Sequence, residues 1–180
     1  MTIIYSNHLD DDCITLATLW NNWSCNVVEI LPTTDDYEDI VDKAIAEEED
    51  TLILIGHGTT QGLLHPRFNG EYLIHENNIN LIRARRVICI WCNASSFCVN
   101  NNMSCFASSM FISNVYEAAV NCISGMTQEQ INSCNRSFYE QLADLIENNV
   151  PMQDWVMQLG ANMDIENPVD TFNRQGLWYQ

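Results

Sequence analysis

The sequence predicts an α/β fold of three layers, a mostly parallel sheet with helices on both faces. Three observations carry this. Apolar runs of strand length, such as Thr51–Ile55 and Arg86–Trp91, are nearly unbroken by polar residues, as strands covered on both sides require. Segments with a 3.6-residue apolar repeat alternate with these runs, the pattern of strand–helix–strand units. The chain of 180 residues, 47% of them hydrophobic, suits one core, so residues 1–180 are expected as a single domain.

In chain order, Ile3–Tyr5 reads as a short opening strand, followed by the polar Ser6-Asn7-His8. Over Asp10–Trp23 the side chains of Cys13, Leu16, Leu19, Trp20 and Trp23 fall on one side of a helix. Asn26–Leu31 is a second strand, stopped by Pro32. Thr34 can cap the next helix, whose Tyr37, Ile40, Val41, Ala44 and Ile45 face inward and whose acidic outer face runs over Asp35–Asp50. Thr51–Ile55 and Arg86–Trp91 are the third and fourth strands. Between them, Gly62–Leu64 and Glu71–Ile74 flank Pro66–Gly70 as a hairpin, and Asn77–Arg85 makes a short helix. The crossover from His57 to Cys92, about 35 residues, is long enough to join adjacent parallel strands in the right-handed sense. Ala94–Ser104, rich in Ser and Asn, reads as a loop, and Met110–Ser113 as another strand. Thr127–Asn148 is a long helix starting near Thr127. Pro151 opens a final helix reaching Ala161, and Asp164–Gln180 is a loop-rich tail.

The formal charge is −17, from 24 acidic side chains against 7 lysines and arginines. A nucleic-acid backbone needs cationic side chains to displace its counterions, so nucleic acid is not expected as a partner. The charge suits a basic partner or substrate, and equally a solvated acidic surface. No window approaches the roughly 18 consecutive apolar residues of a membrane helix. The opening MTIIYSNHLDDD has no basic region ahead of an apolar stretch, so it is not a secretory signal. A soluble cytoplasmic protein with no membrane partner is the expectation. Its 8 irregularly spaced cysteines are then expected as reduced thiols, several of them small core residues.

The chemistry concentrates at two strand ends. Thr51–Ile55 runs into Gly56-His57-Gly58, and Arg86–Trp91 runs into Cys92-Asn93-Ala94. Ligand sites of open α/β sheets lie beyond the carboxyl ends of the strands. If the two strands are parallel neighbours, that edge brings the His57 imidazole and the Cys92 thiol together, a pair suited to nucleophilic catalysis. His57 can favour the thiolate and protonate a leaving amine. The backbone N–H groups of Gly58 and Cys92 can serve as oxyanion donors, Gly58 leaving the main chain open to a substrate.

The order Ile53-Leu54-Ile55-Gly56-His57-Gly58, a hairpin-like segment, then Val87-Ile88-Cys89-Ile90-Trp91-Cys92-Asn93, resembles the core of the caspase-like cysteine peptidases. That group includes caspases, metacaspases, gingipains, clostripain, separase and the CHAT-domain proteases. The resemblance covers Thr51–Ala119 and extends to the flanks in topology only. It implies a caspase-like sheet, a His57–Cys92 dyad, oxyanion donors at Gly58 and Cys92, and a protein or peptide substrate, with no cofactor. Met110-Phe111-Ile112-Ser113 and a helix after it fit the next strand–helix unit of such domains. Trp91 is bulkier than the residue often found before the cysteine and would crowd the pocket for the substrate residue preceding the cut. The chain is also smaller than most members, which leaves room for an activating protein partner.

In that fold the end of the first strand lines the same pocket. Here it leads to Asp10, Asp11 and Asp12, whose carboxylates would favour cleavage after Arg or Lys. The alternative for these aspartates is to cap the helix that follows. Three rival readings stand beside the peptidase. Cys89-Ile90-Trp91-Cys92 is a C-x-x-C, but Cys89 lies inside a strand instead of opening a helix as a redox pair would. Zinc on Cys89, Cys92, Cys98 and Cys105 lacks the second close ligand pair of a structural site, so no metal is expected. His8, His65 and His75 carry no ligand spacing and read as surface or turn residues. The non-enzymatic rival is a catalytically silent caspase-like module that binds or regulates a basic protein partner.

Overall fold

The computed structural model describes residues 1–10, 13, 17, 20, 23–67 and 69–180. Its strands are β1 (Thr2–Ser6), β2 (Asn26–Ile30), β3 (Thr51–Ile55), β4 (Gly58–Thr59), β5 (Gly62–Leu64), β6 (Tyr72–Ile74), β7 (Arg86–Ile90), β8 (Phe106–Ser108) and β9 (Leu177–Tyr179). Its helices are α1 (Tyr37–Glu47), α2 (Ala94–Asn100), α3 (Val115–Val120), α4 (Gln128–Glu147), α5 (Trp155–Ala161) and α6 (Pro168–Gln175). Six strands form one sheet in the order β2-β1-β3-β7-β8-β9, parallel except for the last pair. The remaining strands β4, β5 and β6 make a separate antiparallel sheet.

Alternation along the central strands explains the layers. Ile3, Tyr5, Ile53, Ile55, Ile88 and Ile90 point to one face, where Phe138, Leu142 and Leu145 of α4 and Trp155 of α5 cover them. Ile4, Leu52, Leu54, Val87 and Cys89 point to the other, under Val41 and Ile45 of α1, Phe97 of α2, and Leu63 and Ile74 of the small sheet. Every residue of β3 is buried, and each large apolar side chain so covered contributes about 1.5–3 kcal/mol. The long helix α4 starts where its sequence says it should. Thr127 and Gln130 form a reciprocal capping box, which satisfies two amide donors at that end. Among the described residues, no helix is long and apolar enough to cross a membrane.

The expected parallel pairing of the third and fourth strands holds, with Ile55 opposite Ile90, and the hairpin is present. Several local expectations fail, each for a physical reason. Ala94–Ser104 is not all loop. Ala94, Phe97 and Cys98 form a buried helical stripe that outweighs the Ser and Asn around it, giving α2. The strand expected at Met110–Ser113 lies earlier, at β8, where Phe106–Ser108 is buried throughout and Ile88 and Cys89 pair with Phe106 and Ala107. Asn77–Arg85 forms only a 3-10 turn at Ile79–Leu81. The tail holds α6, started by the Asn167 side chain and Pro168, and β9, which pairs antiparallel with β8. The helix expected over Asp10–Trp23 falls largely outside the described residues.

Candidate active site

β3 and β7 end side by side, and the residues just past them meet. His57 and Cys92 line one cleft of about 40 Å³, together with Gly56, Trp91, Phe111, Ser113, Glu117 and Tyr139. Cys92 sits at an elbow between strand β7 and helix α2. Asn93, next in the chain, takes the left-handed conformation (φ 68°) that Asn tolerates better than most residues. The elbow is tied down on both sides. The Asn93 N–H donates to Ser109 O at 3.0 Å, and Ser108 Oγ donates to Trp91 O at 2.9 Å. The Cys92 thiol lies 3.7 Å from the carbonyl oxygen of Phe111.

That carbonyl belongs to a clamped segment. Asn173 of α6 accepts from the Ile112 N–H at 2.7 Å and donates to the Ile112 carbonyl at 3.0 Å. Asn135 of α4 donates to the same carbonyl at 3.0 Å and accepts from Asn173 at 2.9 Å. Two buried amides on different helices therefore fix the main chain that faces the thiol. Next to it, Glu117 accepts from both the N–H and the Oγ of Ser113, at 2.7 and 2.8 Å. This places a carboxylate in the cleft wall.

His57 is oriented by Asp10, whose Oδ2 lies 2.7 Å from His57 Nε2. Burial pushes the Asp10 carboxyl up, but hydrogen bonds from the Cys13 N–H and from His57 outweigh it, and the net shift is downward. Asp10 is thus an anion that can only accept, so Nε2 carries the proton and Nδ1 is the basic nitrogen. A depressed carboxyl adds stability above its ordinary range and loses it as pH falls through the lowered value. The other Asp10 oxygen accepts from the Cys13 N–H at 2.8 Å, the capping contact expected as the alternative. Both Asp10 oxygens are thus bonded within the protein. Asp11 and Asp12 lie outside the described residues.

Two other neighbours lacked any local signal. The His8 ring packs edge-on against His57, centroids 4.7 Å apart, and burial followed by the charge of His57 lowers it to about 4, so it stays neutral. Cys13 also lines the cleft, and burial pushes its thiol up to about 12, so it remains protonated at neutral pH. His65, expected at the surface or in a turn, leads into the turn at Pro66–Arg67, accepting from the Arg67 N–H, but is fully buried against Tyr37.

Gly58 and Trp91 have a different relationship from the one expected. A Cβ at Gly58 would run into the Trp91 indole, so glycine is needed there by the protein's own packing. Trp91 is only 1% exposed, packs on Phe97 and donates its indole N–H to Thr59 O at 3.2 Å. It forms the back of the cleft and is held as a core residue. The Leu64 N–H donates to the His57 carbonyl at 2.9 Å, so the adjacent pair Gly58 and Leu63 is the non-hydrogen-bonded one. That arrangement turns the Gly58 N–H off the β4–β5 ladder.

Among the described residues, two groups have the donor types and spacing to hold a metal, Asp10–Cys13–His57 and Cys89–Cys98–Cys105. In the first, Asp10 and His57 are bonded to each other and Cys13 is held as a thiol. The second gathers three of the four cysteines that a zinc reading had grouped and leaves Cys92 out. No disulfide links any of the eight cysteines. No family model, curated protein or solved structure matches the chain, and the chemistry of the site stands on the residues just described.

Proposed function

We propose that the protein is a cysteine endopeptidase of the caspase-like type, working in the reducing cytoplasm. The observation that carries this is the shared cleft of His57 and Cys92, with the imidazole held at its far nitrogen by Asp10. Cys92 Sγ attacks the peptide carbonyl, forming a C–S bond, and the thiol proton passes through His57 Nδ1 to the leaving amine. Gly58 and Cys92 N–H groups receive the oxyanion. Water then cleaves the thioester and restores the thiol. Asp10 is a positioning residue in this scheme, fixing the tautomer that leaves Nδ1 basic.

The preference for a basic residue before the cut rests here on Glu117, which lines the cleft beside Cys92 and His57 while its Oε2 accepts from Ser113. The net charge of −17 also draws cationic peptides to the surface. A peptide library scored by the residue preceding the cut should return Arg and Lys. Glu117→Gln should lower that preference roughly ten- to hundredfold, the worth of a hydrogen bond to a charged group. Asp10→Asn should reduce kcat by about 10²–10⁴ through loss of the correct tautomer, with little change in KM for Arg peptides. A rise in KM with kcat preserved would return Asp10 to the substrate pocket.

The direct test is an Arg peptide bearing a thiol-directed electrophile, followed by mass mapping of the modified residue. Selective labelling of Cys92 supports the peptidase. No labelling, together with no turnover of any library peptide, assigns the domain to a silent module that engages a basic protein.

A further inference from the structure

Away from the cleft, the densest group of metal-ligating side chains among the described residues is made of sulfur. Cys89 in β7, Cys98 in α2 and Cys105 just before β8 bring their Sγ atoms within 4.8 Å of one another, and each residue is 0% exposed. They meet in the apolar layer that also holds Trp91, Phe97 and Ala107, with Met103 packed against it. One buried thiol needs no explanation, because cysteine behaves as a small apolar residue. Three converging from separate stretches of chain approach a coordination geometry. Sulfurs about 2.3 Å from a common ion stand roughly 3.8–4.0 Å apart.

The donor set selects the ion. Thiolates favour soft cations, chiefly Cu(I) and Zn(II). Structural zinc is tetrahedral and closed by four protein ligands, whereas this group holds three members and no histidine or carboxylate among the described residues. The apolar residues around it offer no hydrogen-bond partners to a water in a fourth position. Cu(I) is satisfied by three sulfurs in a plane. We propose that Cys89, Cys98 and Cys105 form a three-sulfur site for Cu(I). The copper keeps its oxidation state. One sulfur binds as thiolate, its S–H bond giving way to a Cu–S bond and its proton going to solvent. The other two bind through their lone pairs as intact thiols, so one positive ion replaces one proton and the site stays neutral, the state an apolar layer holds at least cost. The ion would tie β7, α2 and the entry to β8, the three segments that frame the Cys92–Asn93 elbow.

The test uses the full chain carrying Cys25→Ser, Cys92→Ser and Cys122→Ser, which removes the three thiols that are not buried. Under anaerobic, reducing conditions Cu(I) is offered as its complex with a coloured competing chelator. One ion should move to each chain, X-ray absorption should show sulfur as the sole donor, and the melting temperature should rise. Adding Cys98→Ala or Cys105→Ala singly should return the ion to the chelator, while Cys134→Ala, a buried thiol outside the group, should keep it. Copper that never leaves the chelator, copper retained by the Cys98→Ala and Cys105→Ala chains, or nitrogen or oxygen donors in the absorption spectrum would overturn the assignment. The absorption result is read on an intact site, so it decides even if one alanine chain folds poorly.

Discussion

Cys92→Ala should abolish peptide cleavage, by about 10⁴-fold or more, because loss of a nucleophile removes the covalent route altogether. The fold should be untouched. Cys92 is half-buried at a cleft, past the end of β7 rather than within the sheet, and its thiol lies 3.7 Å from the Phe111 carbonyl oxygen. The purified variant should therefore melt near the parent temperature while showing no turnover of Arg peptides and no labelling by the electrophile. Cys13→Ala, the other sulfur in the cleft, gives the contrast. Its thiol is kept protonated, so cleavage should persist. Turnover by Cys92→Ala at the parent rate would end the assignment of Cys92 as the nucleophile.

Arg174→Met should lower stability by about 3–5 kcal/mol, the cost of leaving a carboxylate buried without its cation. The Arg174 Nε donates to Asp170 at 2.7 Å, with the two side chains 1% and 4% exposed, and Nη1 donates to Gln141 and to the Leu159 carbonyl. At about 2–4 °C per kcal/mol for a chain of this size, the melting temperature should fall by roughly 10 °C. Pairing Arg174→Met with Asp170→Asn should recover much of the loss, since the stranded charge is then gone. A single variant that melts within a degree or two of the parent would show that the pair contributes nothing net. The effect also reaches the cleft. Asn173, the preceding residue of α6, holds Ile112 by both of its main-chain polar groups, and Phe111 beside it faces Cys92. Loosening α6 should blunt labelling of Cys92 at temperatures where the sheet is still folded.

Burial on both faces is written into short apolar runs, so β1, β3 and β7 were legible, and β2, mostly exposed at the sheet edge, was legible from its β-branched residues and the Pro32 that follows. The start of α4 was equally clear, because Thr127 and Gln130 are a local signal. Elements whose case rests on neighbours were not. Helix α2 reads as loop until Phe97 and Cys98 find the sheet, and three residues at β8 carry no period of their own. Helix α6 did announce itself through Asn167-Pro168, a cap followed by proline in the first turn, and that cue was overlooked. For the site, strand ends placed His57 and Cys92 correctly on one cleft. Asp10 was legible as a residue near the site, but its bond to His57 was not. Its bond to His57 joins residues 47 apart in sequence, and no local pattern encodes such a pairing. Glu117 bonds to Ser113, only four residues away, but its place in the cleft beside the ends of β3 and β7 depends on the tertiary fold.

Two glycines bracket His57, each because something else already occupies the place of a side chain. At Gly56 the φ of 147° is one L residues avoid, and a Cβ would lie 2.7 Å from that of Ser6; at Gly58 the space belongs to the Trp91 ring. Evolutionary drift at these sites is therefore restricted. A sequence that gains a larger residue at 58 must shed bulk at 91 and also move the Gly62 carbonyl oxygen, 2.7 Å from where the Cβ would sit, so position 58 should stay glycine even where 91 shrinks.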